Sequence, residues 1–347
     1  MRGPLHKLRL AKVLSPSSLR FHVAICQLMG KRWLEPQGGS LRDGQVTKAV
    51  FTAKVESNYD DLPEERYHFP RTYLRQVEAA VGYWIIYYEP RRASSDLGSR
   101  GGRQAYFATA RVKKVERDRG REDHFYAYVT DYLDFDRAVP FKDGEFYYEG
   151  GLRREYGGTS KGAFGRAVRN ITESEYELIF KAGFALTLVE AHVDVAPRTR
   201  AASRFDEEVD PFERPIVELV VKRPFREAAF AASVKTAYAN TCAMTGLHII
   251  NGGGRAEVQA AHIRPVAAGG SDSVRNGLAL SGTVHWMFDR GLVSVDDDFS
   301  ILIATDRLPD AVTRLLREDR KLDVPMRSEI RPHPAHLRYH RENIFKG

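Results

Sequence analysis

Cysteine is almost missing from this chain: two in 347 residues, Cys26 and Cys242, far apart and outside any CxxC pair. Neither a disulfide framework nor a structural zinc knuckle is indicated, and the count suits a reducing cytoplasm, the expected location. Long apolar runs are missing too. The stretch LRFHVAICQLM at 19–29 is broken by His22 and Gln27 and falls short of the ~20 residues of a membrane span, so no membrane partner is expected. Charge of one sign is lacking through most of the chain. The net charge is +7, but residues 1–43 hold eight Lys/Arg against two acids, which leaves 45 against 44 in the remainder. Overall basicity is therefore weak evidence for nucleic-acid binding, and local clusters have to make that case.

What is present divides the chain into four parts. Residues 1–43 mix Arg, Pro, Ser and Gly without a steady period and read as a poorly ordered basic leader, with a targeting peptide as the alternative. From 44 to 195 short β-branched and aromatic runs recur: VTKAVFTAKVE, GYWIIYYEP, AYFATARVKKVE, HFYAYVTDYLDF and FALTLVEAHVDV. Two helices are expected among them. One covers RTYLRQVEAAV, with Leu74, Val77 and Val81 on a face; the other covers ESEYELIFKA, opened by a Thr172–Glu175 capping box. This predicts a compact, curved α+β barrel with flanking helices. Residues 196–215 combine Pro, Ser and clustered charges and read as a linker to a second domain at 216–347.

The second domain holds the densest chemistry, in AAHIRPVAAGGSDSVRNGLALSGTVHWMFDRG. EVQAAHI predicts a strand, RPVAAGGSDSVRN a loop with a tight Gly-Gly turn, GLALS a second strand, and GTVHWMFDR a helix stopped by Gly291. At 100° per residue His285 and Asp289 lie about 40° apart on the helix, while Met287 points toward a core. A histidine at a strand end, facing a helix that offers imidazole and carboxylate, is what phosphodiester hydrolysis needs. His262 is expected to deprotonate water, and a divalent ion on His285 and Asp289 to neutralise phosphate charge. Asn276 either orients the imidazole through its amide or holds the loop.

These residues resemble the HNH, or ββα-metal, nucleases. The resemblance covers about 238–305, including YANTCAMTG upstream and LVSVDDDFSILIA downstream. It implies that the general base falls on His262, the central asparagine on Asn276 and the helix metal ligand on His285, with Asp289 one turn on as a further ligand. Many members place Asp or His just before the base as a metal ligand; here that position is Ala261. Cys242 reads as a small buried residue, because Thr245 stands where a CxxC partner would be.

In the first domain, ESNYDDLPEERYHFPRTYLRQVEAAVGYWIIYYEPRR is rich in aromatics. Those in strands, such as Tyr87 and Tyr88, read as core. A flipped base needs flat faces and polar groups on its Watson–Crick edge. Tyr59, Tyr67, Phe69 and Trp84 are expected to supply the faces, Asp60 or Asp61 to accept from a cytosine amine, and His68 to complete the pocket. Basic residues Arg91, Arg92, Arg111 and Lys113 are the candidates for DNA-backbone contact, against the plainer reading of a solvated surface. Together with GGRQAYFATARV and KGAFGRAVRNI, the segment resembles the EVE-like branch of the PUA superfamily.

A reader of that type followed by an HNH domain resembles the modification-dependent restriction endonucleases. The resemblance implies cleavage of double-stranded DNA carrying 5-methyl- or 5-hydroxymethylcytosine, Mg2+ or Mn2+ as cofactor, and a role in bacterial defence against phage. One HNH site nicks one strand, so a double-strand cut implies a homodimer or two encounters. The rival expectations are an HNH endonuclease on unmodified DNA and a non-cleaving RNA- or DNA-binding protein.

Overall fold

The computed structural model describes residues 48–53, 61–90, 102–188 and 222–347. The expected leader and linker lie outside these residues. Strands β1 (Lys48–Thr52), β2 (Arg66–Pro70), β3 (Trp84–Glu89), β4 (Ala105–Arg117) and β5 (His124–Pro140) join β8 (Val168–Ile171) in one sheet of order β2-β5-β4-β3-β1-β8. A small hairpin, β6 (Lys142–Asp143) and β7 (Phe146–Tyr147), follows β5. Register shifts recur along the β4–β5 pair, between Tyr106 and Ala108, Thr109 and Arg111, and Val112 and Lys114. Such bulges raise local twist, and the sheet is a curled half-barrel. It is covered on both faces: Ile85 and Tyr87 enter one apolar cluster while Trp84, Ile86 and Tyr88 enter another, as strand alternation dictates.

Helix α1 (Leu74–Glu78) is shorter than its sequence pattern. Val77 is fully buried but Val81 is exposed, because the chain turns at Gly82 with φ +86°. After the short α2 (Lys161–Phe164), helix α3 (Glu173–Gly183) opens with the expected capping box, in which Thr172 Oγ accepts from the Glu175 N–H and the Glu175 carboxylate accepts from the Thr172 N–H. The strand expected from Phe184 onward is corrected: residues 185–188 are helical, and 189–195 lie outside the described residues. Thr187 explains this locally. Its N–H and hydroxyl both donate to the buried Asp136, at 2.8 and 2.7 Å, while Phe184 packs on Phe135 and Phe180.

Helix α4 (Arg223–Ala237) reaches two apolar clusters. Phe225 and Ala229 pack with Phe180 and Phe184 on the sheet side; Phe230 and Val234 pack with Ile263, Leu278 and Val284. Strands β9 (Gln259–His262) and β10 (Gly277–Leu280) pair antiparallel with His262 opposite Gly277, and α5 (Gly282–Asp289) follows. The strand, loop, strand, helix order is the one the sequence predicts. Gly291 ends α5 at φ +71°, where a Cβ would lie 1.9 Å from the Ile344 carbonyl oxygen. The hairpin β11 (Val293–Val295) and β12 (Ile301–Ile303), the short α6 (Asp310–Thr313) and α7 (Pro334–Asn343) complete this part. Among the described residues no helix is long and apolar enough to cross a membrane.

Candidate active site

His262 closes β9. Its ring stacks on Phe230 of α4, with centroids 3.8 Å apart and planes within 11°, and its Nε2 lies 3.1 Å from Asp272 Oδ1. A carboxylate oxygen only accepts, so Nε2 is the nitrogen that donates to Asp272, and Nδ1 is the one left to exchange a proton. The side chain is 22% exposed, enough for solvent to reach one edge. Asp272 is buried, which opposes its charge, but the His262 hydrogen bond and the Arg226 guanidinium outweigh that and hold its carboxyl below the usual range.

Asn276 is fully buried and every amide atom is spent on backbone. Its Oδ1 accepts from the Arg264 N–H at 2.8 Å, and its Nδ2 donates to the Arg264 and Ser271 carbonyls at 2.9 Å. Of its two expected roles the geometry gives it the loop rather than the imidazole. Gly270 completes the closure, since a Cβ there would fall 1.9 Å from the Arg264 carbonyl oxygen.

Across the hairpin, α5 brings His285 and Asp289 together, with Nε2 and Oδ2 3.4 Å apart. The start of the helix is tied down twice: Cys242 Sγ accepts from the Ser281 N–H and Glu257 from the Gly282 N–H. Cys242 is buried, as its sequence setting suggests. His285 Nδ1 donates to Gln259 Oε1 at 2.8 Å, which turns Nε2 toward Asp289. Ala261, two residues after Gln259 on the same face of β9, is fully buried in the apolar cluster with Val284 and Met287. Gln259 and Asp272 were not singled out in the sequence. Strand alternation puts the first on the face of Ala261 without naming its partner, and nothing local points to the second.

Residues 242–296 match the family described as HNH endonuclease. This chain carries an HNH endonuclease domain. The matched span contains His262, Asn276, His285 and Asp289, and the domain is that of a nuclease hydrolysing phosphodiester bonds. No curated protein matches the chain. Among solved structures it is similar to the modification-dependent TagI restriction endonuclease, at 16% identity over 85% of this chain and 81% of that one, with a TM-score of 0.27. It is also similar to the Type IV phosphorothioation-dependent restriction endonuclease ScoMcrA, at 11% identity over 84% and 57%, with a TM-score of 0.18. At such TM-scores neither similarity bears on the fold or activity of the chain.

HNH nucleases generally use a divalent metal, and the His285–Asp289 pair suits one. Their ring nitrogen and carboxylate oxygen stand 3.4 Å apart on one helical face, near enough for a single ion to be held by both. The Gln259 bond fixes the tautomer that a ligand imidazole requires. Among the described residues no third His, Cys, Asp or Glu joins them, so solvent and phosphate oxygens would fill the other positions.

The residues expected to bind a base fare differently. Tyr59, Asp60, Arg91 and Arg92 lie outside the described residues. Tyr67, Phe69 and Trp84 are corrected: all three rings are buried in the sheet clusters, Tyr67 stacked on Phe51 at 4.7 Å and Phe69 on Phe125 at 6.0 Å. The cause is that RYHFP forms β2, so Tyr67 and Phe69 enter one covered face, while Trp84 opens the fully buried β3 on the other. His68, on the opposite face, is also buried. It stacks on Tyr126 at 4.5 Å with Nε2 3.1 Å from Asp118, and burial pushes its pKa down despite that carboxylate. Arg111 and Lys113 stand exposed on β4, either side of the buried Val112, with Arg111 Nε donating to the Gly82 carbonyl.

Proposed function

We propose that the chain is a modification-dependent restriction endonuclease. Its sheet region, of EVE or PUA type, holds double-stranded DNA at a 5-methyl- or 5-hydroxymethylcytosine, and its HNH domain hydrolyses a phosphodiester of the same molecule in bacterial defence. The seat of His262 carries the cleavage half. A ring with Nε2–H committed to Asp272, a stacked face and one solvated edge is a general base ready to act. Nδ1 takes a proton from water as the oxygen attacks phosphorus and the P–O bond to the leaving nucleotide breaks. Mg2+ or Mn2+ on His285 and Asp289 would supply charge neutralisation at the phosphate and the leaving oxygen. Asn276 keeps the loop closed so that Asp272 stays against the base.

Arg111 and Lys113, exposed and two residues apart on one face of β4, suit phosphate contact, which positions DNA without reading it. The burial of Tyr67, Phe69 and Trp84 favours a second reading, an HNH endonuclease acting on unmodified DNA. Matched duplexes containing cytosine, 5-methylcytosine or 5-hydroxymethylcytosine, incubated with Mg2+ or Mn2+, separate the two. Faster cutting of a modified duplex supports the first reading, equal rates support the second, and no metal-dependent cutting of any duplex sinks both.

A further inference from the structure

The loop between His262 and Asn276 is gripped by the half-barrel sheet. Val274 N–H donates to Asp134 at 2.7 Å, and Arg275 Nη1 donates to the buried Glu64 at 3.1 Å. Leu133 of β5 forms an isolated parallel bridge with Asp272. Arg226 of α4 sits between the two. Its Nε and Nη2 both donate to Asp272 Oδ2, at 2.9 and 2.7 Å, while Nη1 donates to Asp131 Oδ1 of β5 at 2.9 Å. The fork therefore occupies one oxygen of Asp272 and leaves the other, Oδ1, for His262. Asp131 has φ +56°, a left-handed conformation that Asp and Asn tolerate best, and its second oxygen accepts from Thr130 Oγ. Both of its oxygens are thus engaged, and its bond to Nη1 limits how far the guanidinium can turn.

We infer that Asp131 of the sheet is a positioning residue for catalysis, holding the His262 imidazole in its working orientation through Arg226 and Asp272. This rests on the assignment of His262 as general base. DNA bound on the sheet thereby has a short route to the chemistry: any shift of β5 near Asp131 moves the anchor of the base. An HNH domain freed of the sheet would lose this support while keeping every residue of its own motif.

The test uses the full chain with Mn2+ and two duplexes, one with 5-hydroxymethylcytosine and one with cytosine, read on whichever wild type cuts faster. Asp131→Asn keeps shape and backbone preference but removes the charge. It is expected to lower single-turnover kcat about tenfold, as loss of an outer-shell partner does, with KM and DNA affinity little changed. Asp272→Asn should cost more, and the double variant should be no slower than Asp272→Asn alone, since one relay is broken only once. Arg223→Gln, which removes an exposed pair with Glu227 on the same helix, should cut like wild type. A second readout needs no activity: imidazole 15N shifts should show His262 protonated at Nε2 in wild type and a mixture of tautomers in Asp131→Asn. Wild-type kcat in Asp131→Asn, penalties that multiply in the double variant, or an unchanged tautomer would each overturn the inference. Cleavage by His262→Ala would overturn the base assignment beneath it, a distinct result.

Discussion

Two arginine–carboxylate pairs, one buried in the sheet and one half-buried beside the HNH loop, use the same chemistry to different ends. In the sheet, Arg169 meets Glu149 fork to fork: Nε to Oε2 at 2.7 Å and Nη2 to Oε1 at 2.8 Å, with Tyr106 also donating to Oε1. Both carboxylate oxygens are occupied and the pair is closed. At the loop, Arg226 puts two donors on a single oxygen of Asp272, and the other oxygen faces His262. Residue types alone would rank the two pairs alike. Whether a carboxylate keeps a free oxygen decides if the pair only holds the fold or also directs a neighbour.

The comparison breaks most sharply at His262. In the folded protein His262→Ala should lower cleavage on the order of 10²–10⁴-fold while DNA binding persists; wild-type rates would falsify the base assignment. At the metal pair, His285→Ala should be more severe than Asp289→Ala, both should weaken metal dependence, and chelator should abolish cutting. Normal cleavage by Asp289→Ala at low metal would leave that carboxylate only a helix-supporting role.

The closed pair should answer in stability instead. Glu149→Gln leaves the buried Arg169 charge without its partner, which typically costs about 3–5 kcal/mol, measurable as a lower denaturation midpoint, while the folded fraction cuts at the normal rate. Asp272→Asn should show the reverse, slow cutting with a smaller loss of stability. If both variants lose stability and activity in the same proportion, the distinction between the pairs fails.

Acid should act through a third kind of buried polar group. His340 stacks on Phe288, and its ring nitrogens pair with Ser294 Oγ and the Phe288 carbonyl. Burial pushes both His340 and His336 down to about 4, with His333, Arg264 and Arg275 adding to the effect at His336. The unfolded chain takes up these protons near pH 6.5 and the folded chain does not. Their stabilisation is thus complete above pH 6.5 and is lost as pH falls toward 4, by about 2 kcal/mol per ring at pH 5. Denaturant unfolding at pH 7 and pH 5 checks this, and His340→Phe should flatten the difference. The smallest effect is expected from Arg111→Gln or Lys113→Gln. Each should weaken modified and plain DNA alike and reduce the salt slope by about one, seen in binding titrations at several salt concentrations.

The strand, loop, strand, helix frame was legible because turn residues and helical spacing are local. The convergence of His285 and Asp289 followed from one helical turn. Asp272 was not legible, since what makes it useful is Arg226, 46 residues away, and Asp131, farther still. Gln259 was hidden for the opposite reason: it stands in an ordinary exposed strand position whose partner only the packing of α5 reveals. The aromatics at 67–69 were misplaced because a five-residue strand interrupted by His68 reads as loop until its pairing with β5 is known.

Helix α4 carries a consequence for how the molecule comes apart. Phe225 and Ala229 belong to one apolar cluster and Phe230 and Val234, within the same three turns, to the other. A continuous helix does not melt at one end of so short a stretch without fraying the other. Heat or denaturant should therefore take the sheet and the nuclease fold through a single shared transition, and a protease cut inside 223–237 should strip both of an apolar seam at once.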